Sequence, residues 1–199
     1  MYARVNIIFG QKDKVEDGVS HLEESDRAAV EAAGGNLGLT TLVDREAGVI
    51  VAVSYWDEPT HSSEAALTRA REGAAAAAGG DLVVETYEVA SQERLSVPSP
   101  GATVRVGRVQ IDPVKASAGL VFIREQLLPK LQISGLCSTE LLIDQDAGTG
   151  LLLTTWTSED AAVRGDTVLE QLRDEAVERA GTKFPRVETY ALVRASAPA

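Results

Sequence analysis

The chain has 199 residues, 44% apolar and 25% charged, with a formal net charge of −11. That length allows one ordinary domain or two small ones, and the acidity argues against nucleic-acid or membrane partners, because phosphate surfaces are bound by basic ones. The single Cys137 excludes an internal disulfide and a Cys-based metal cluster.

Ala3 to Phe9 alternates as a strand, with Val5, Ile7 and Phe9 on one face and Arg4, Asn6 and Ile8 on the other. Val15 to Ala33 carries apolar residues at helical spacing and is stopped by Gly34-Gly35. Leu37 to Val43 and Val49 to Trp56 form a hairpin closed by Asp44 to Gly48. A second helix starts near Asp57 to Thr60, with Pro59 in its first turn, and ends at Gly79-Gly80. Leu82 to Ala90 is the fourth strand. The order is β-α-β-β-α-β.

Ser91 to Ala102, with two prolines and a glycine, reads as a linker. The order then repeats. Thr103 to Ile111 is a strand, and Pro113 to Leu131 is a helix that Pro129 kinks or stops. Leu136 to Ile143 and Leu151 to Trp156 are a hairpin. A helix capped near Ser158 runs to Gly181, and Val187 to Val193 closes the set. Gly35, Asp44, Gly48 and Trp56 recur as Gly135, Asp144, Gly148 and Trp156, and Val-Glu-Thr-Tyr stands at both 84–87 and 187–190. This is read as an internal duplication. The expected organisation is a ferredoxin-like half over 1–90, a linker over 91–102, a second half over 103–195 and a tail over 196–199.

Each half makes a four-stranded sheet with helices on one face. The strands are apolar at both parities, as in Val49, Ile50, Val51 and Val53, so both faces of the sheets should be covered. The expected fold is α+β: two tandem βαββαβ repeats whose sheets face each other, a pseudo-dimer in one chain. No run approaches the roughly 20 apolar residues of a membrane span, and the N-terminus lacks the pattern of a secretion signal. A cytoplasmic protein is expected.

Leu127 to Leu131, Gly135, Asp144 to Gly150, Trp156 to Ala161 and Glu188 to Tyr190 resemble the antibiotic biosynthesis monooxygenase-like domains of the dimeric α/β barrel superfamily, here in tandem. The first half matches more loosely through Gly35, Asp44 to Gly48 and Trp56. The resemblance implies either cofactor-independent quinone-forming oxygenation, haem degradation or a non-catalytic role. It sets Asn6 where relatives place a functional Asn, and sequence numbering sets Val106 opposite it in the second half. Relatives that degrade haem use a His late in the second helix, and 64–80 and 160–181 contain none. No haem or other cofactor, and no metal, is therefore expected.

The candidate catalytic residues are Asn6 and Trp56. The candidate ligand-binding residues are Asn6, Trp56, Arg108 and Trp156. A buried arginine needs a partner or an anionic ligand, which makes Arg4, Asn6 and Arg108 a polar line in an apolar sheet. The two tryptophans serve either as packing anchors or as an aromatic cavity wall. His21 and His61 have no metal-ligand spacing, Cys137 packs as a small apolar group, and Tyr87 and Tyr190 share strand faces with Glu85 and Glu188. Three functions remain in view: binding of a small apolar or aromatic ligand, oxygenation of an aromatic polyketide-like substrate at Asn6 and Trp56, or an acidic protein-interaction module. Further self-association is compatible with each.

Overall fold

The computed structural model describes residues 1–61, 65–131 and 133–196. It contains β1 (Tyr2–Phe9), α1 (Val15–Ser20), a π-helical turn (His21–Asp26), α2 (Arg27–Glu31), β2 (Asn36–Asp44), β3 (Val49–Trp56), α3 (Ala65–Ala77) and β4 (Asp81–Arg94). The order repeats as β5 (Thr103–Gln110), α4 (Ala116–Phe122), a π-helical turn (Ile123–Leu127), β6 (Leu136–Asp144), β7 (Thr149–Trp156), α5 (Glu159–Ala180) and β8 (Val187–Ala195). The expected start of the helix after Trp56 includes residues 62–64, which lie outside the described residues.

Two compact units result: Met1–Tyr87 with Ala191–Ala199, and Glu88–Tyr190. In the first unit the strand order is β4-β1-β3-β2-β8, with the early part of β4 and the late part of β8 taking part. In the second it is β8-β5-β7-β6-β4, with the complementary parts. Each unit is ferredoxin-like, with antiparallel β1-β3-β2 and β5-β7-β6 ladders. The fourth strand, expected over 82–90, runs instead to Arg94, so Ser91–Arg94 belong to a strand and not to a linker. Ser91, Gln92, Glu93 and Arg94 pair with Leu141, Glu140, Thr139 and Ser138.

Local sequence accounts for the turns. Asp44 Oδ1 accepts from the amides of Glu46 and Ala47, and Asp144 Oδ1 accepts from Ala147, each at 3.0 Å. Gly48 and Gly148 close these turns at φ of 70° and 65°, a left-handed conformation that other residues rarely adopt. Ser158 Oγ accepts from Ala161 N at 3.2 Å and caps α5, with Glu159 and Asp160 in its positive first turn.

Register corrects one sequence alignment. Tyr2 stands opposite Trp56 and Asn6 opposite Ala52, whereas Thr103 stands opposite Trp156 and Gly107 opposite Leu152. Asn6 therefore corresponds to Gly107, not Val106, and Arg4 to Arg105. The hairpins repeat at an interval of 100, but the segment joining first strand to hairpin is one residue shorter in the second unit. A one-residue slip exchanges strand faces, so Arg108 corresponds to Ile7 and not to the Arg4–Asn6 face.

Candidate functional site

In the first unit, β1 and β3 turn Arg4, Asn6, Ala52, Ser54 and Trp56 toward the helices. There they meet Leu22, Asp26, Arg27 and Val30, and Leu67, Ala70 and Arg71 of α3, around a cavity of about 30 Å³. A water needs roughly 10–15 Å³ of such space. The cavity thus accommodates a couple of waters or one small functional group. The π-helical turn at His21–Asp26 carries Leu22 and Asp26 to its wall; such turns occur frequently at functional sites, and the second unit has one at Ile123–Leu127 as well.

The polar groups around it are differently satisfied. Asn6 is 6% exposed. Its Nδ2 donates to Ala52 O at 3.5 Å, and its Oδ1 has no hydrogen-bond partner among the described residues. Exchanging the amide atoms would set oxygen against the carbonyl of Ala52, so the acceptor is left over. Trp56 Nε1 donates to Ser54 Oγ at 2.9 Å, which leaves its buried ring as an apolar wall. Arg27, 2% exposed, donates to both Glu23 oxygens (2.7 and 2.9 Å), Glu31 (2.8 Å), Leu39 O (3.0 Å) and Thr41 Oγ1 (2.9 Å). Burial opposes its charge, but Glu23 and Glu31 outweigh that and hold its pKa above the ordinary value.

Arg71 anchors its Nε on Leu67 O at 2.7 Å. Burial, and then the positive charge of Arg4, push its pKa down to about 10. Burial pushes Arg4 down as well. Both guanidiniums stand on this wall. Asp26 has its carboxyl pushed up by burial and drawn back by His21, whose Nε2 lies 3.4 Å from Asp26 Oδ2. Gly73 of α3 leaves room for that imidazole, since a Cβ there would stand 2.7 Å from His21 Nε2.

The second unit has a cavity of the same volume, about 30 Å³, and a different character. Leu22, Asp26, Arg27 and Val30 are matched by Ile123, Leu127, Leu128 and Leu131. Leu67, Ala70 and Arg71 are matched by Leu169, Leu172 and Arg173, and Ala52 by Leu152. Gly107 stands where Asn6 stands. Arg105, the counterpart of Arg4, bonds Thr189 and lies 3.4 Å from Asp166. Burial lowers the pKa of Arg173, with Asp166 and Glu170 acting in the opposite direction.

Of the sequence-predicted residues, Asn6 and Trp56 meet in the first cavity. Trp156 is fully buried in the second unit's core, donates from Nε1 to Thr154 Oγ1 at 2.9 Å and packs on Gly165. Arg108 lines neither cavity. Cys137 is buried, His61 Nδ1 lies 2.7 Å from Asp57 Oδ1, and Tyr87 donates to Glu85 at 3.0 Å. Glu188 pairs with Arg186 at 3.0 Å. Sequence reading missed Asp26, Arg27 and Arg71. Aligning the halves at the right interval would have exposed the first two as charges where the other half has leucine. Among the described residues no group of three or more His, Cys, Asp or Glu is placed to hold a metal, and no helix is long and apolar enough to cross a membrane.

This is the fold of the monooxygenase-like ferredoxin-fold proteins related to antibiotic biosynthesis monooxygenases. A candidate monooxygenase from Fusobacterium nucleatum superposes with a TM-score of 0.73 at 14% identity, covering 98% of this chain and 94% of that one. An anthrone oxidase-like protein superposes at 0.70 and 13% identity, covering 99% and 93%. In sequence, the chain is 29% identical over 184 residues to "Uncharacterized protein Rv2557" of Mycobacterium tuberculosis, covering 91% of this chain and 82% of that protein. No protein-family model matches the chain.

Proposed function

We propose that the first unit binds a small ligand through an anionic group held in the Arg4–Asn6–Arg71 cavity. Arg4 and Arg71 supply positive charge, Trp56, Leu22 and Leu67 supply an apolar wall, and Asn6 Oδ1 accepts from the ligand or its water. The observation that carries this reading is the contrast between the units. Asn6, Asp26 and Arg27 line the cavity in one, whereas Leu127 and Leu128 replace the two charges in the other, whose lining is apolar apart from Arg173, the counterpart of Arg71. Packing alone is met by the apolar version, so the polar version, with an orphaned acceptor, is kept for something else.

A panel of small anions, namely formate, glycolate and salicylate, tests it through thermal stability. A ligand at a hundred times its Kd stabilises the native state by about 2.7 kcal/mol. At least one anion should raise Tm, and Arg71→Gln should abolish the shift. No shift with any of them, or an equal shift in the variant, would refute the reading.

Cofactor-independent oxygenation of an aromatic substrate is a second reading, favoured by one observation: Asn6 and Trp56 share a cavity. It requires that about 30 Å³ open toward the roughly 300 Å³ of a drug-sized site. Oxygen uptake with anthrone, absent in Asn6→Ala, would support it; no uptake would sink it. The protein-interaction reading rests on the net charge of −11 alone.

A further inference from the structure

We infer that this cavity takes up its anion together with a proton, Asp26 accepting the proton and His21 connecting it to solvent. The inference rests on the anion-binding reading and adds its coupling. Asp26 lines the same cavity as Arg4 and Arg71, and its Oδ2 is buried without a hydrogen-bond partner among the described residues. An incoming anion shares that small low-dielectric space with the carboxylate. Two negative charges so placed do not both stay ionised, so the one with access to protons protonates.

The access is built in. His21 Nε2 lies 3.4 Å from Asp26 Oδ2, and the imidazole is 37% exposed while Asp26 is 15% exposed. The pair therefore leads from cavity wall to solvent across the π-helical turn, with Gly73 keeping space beside the ring. Both members disappear together in the second unit. At the interval that matches Leu22 to Ile123, Phe122 stands for His21 and Leu127 for Asp26. His21 lies against Asp26, and the cavity wall that Asp26 shares carries Arg27 from its own segment, Arg4 from β1 and Arg71 from α3. Arg27 is engaged by Glu23 and Glu31, and the three arginines hold their protons through the neutral range. Asp26 is the carboxyl of the cavity wall whose pKa burial raises.

The test is calorimetric titration of the full chain with sodium formate near pH 6.5, in two buffers of unlike ionisation enthalpy, which reads protons taken up per anion bound. The wild type should take up roughly one proton per formate, and its affinity should fall about tenfold per pH unit once Asp26 is ionised in the free protein. Asp26→Asn should bind formate with no uptake and with affinity independent of pH. His21→Phe should keep the uptake while the Asp26 carboxyl, followed by carbon-13 NMR, titrates at higher pH than in the wild type. Formate binding without proton uptake, or uptake that persists in Asp26→Asn, overturns the coupling and leaves anion binding standing. No binding of formate, glycolate or salicylate at any pH overturns both.

Discussion

Leucine in place of Ala52 transplants the second unit's solution into the first. Ala52 is 2% exposed and stands opposite Asn6 in the β1–β3 ladder; the second unit sets Leu152 opposite Gly107. Three additional carbons, fully accommodated, would contribute about 2 kcal/mol at roughly 0.8 kcal/mol per buried methylene. With Asn6 in place the available space is only about 30 Å³, so overpacking should make Ala52→Leu less stable by about 1–3 kcal/mol. Adding Asn6→Gly removes the amide and its orphaned acceptor, whose burial costs about 1–3 kcal/mol, and opens the room that leucine needs. The double variant should recover near wild-type stability, with a coupling of about 2 kcal/mol between the sites. Urea unfolding of the four proteins, followed by circular dichroism and compared at constant m, measures this cycle. Additivity within about 0.5 kcal/mol would mean that the two side chains do not share the space, and the comparison of cavities would fail.

The remaining predictions concern the groups around that cavity. Arg27→Ala strands Glu23, Glu31 and Thr41 and should lower unfolding free energy by about 3–5 kcal/mol in chemical denaturation; a loss under about 1 kcal/mol would mean that these bonds do not hold the buried charge. The Glu31 carboxyl is opposed by burial but held below its ordinary range by Arg27. Its contribution is present above the unfolded-state pKa and disappears as pH falls through the folded-state value. Acid unfolding profiles should lose this dependence in Arg27→Ala. Asp26 has the opposite sign, because burial raises its pKa. Its ionised form works against folding at neutral pH, so Asp26→Asn should raise Tm there and gain little in acid. Gly165→Ala drives a Cβ into the ring of Trp156 and should cost about 1–3 kcal/mol, read by the same unfolding assay with Trp fluorescence.

The fold was largely legible because its signals are local. Strand alternation, turn acids, stop glycines and the Ser158 cap each act within a few residues, and they recur at a nearly constant interval. What escaped was the single residue dropped between β5 and β6. Numbering alone cannot see it, and because strand faces alternate it moved Arg108 onto the wrong face and hid Gly107 behind Val106. The end of β4 escaped for a related reason: Ser91–Arg94 are polar, and only their pairing with Ser138–Leu141 makes them strand. Asn6 and Trp56 were visible as candidates through their residue types. Asp26, Arg27 and Arg71 were not, because each sits in a helical charge pattern that ordinarily faces solvent. It is the π turn and the close approach of α3 that bring them around one cavity.

The proposed difference in anion binding between the units can be read in one experiment: titration of isotopically labelled protein with formate, following the side-chain Nε–H signals of arginine and the amide of Asn6 by NMR. Saturable shifts are expected at Arg4, Arg71 and Asn6, while Arg105 and Arg173 stay in place. Shifts that never saturate, or that move Arg105 and Arg173 to the same extent, would contradict it.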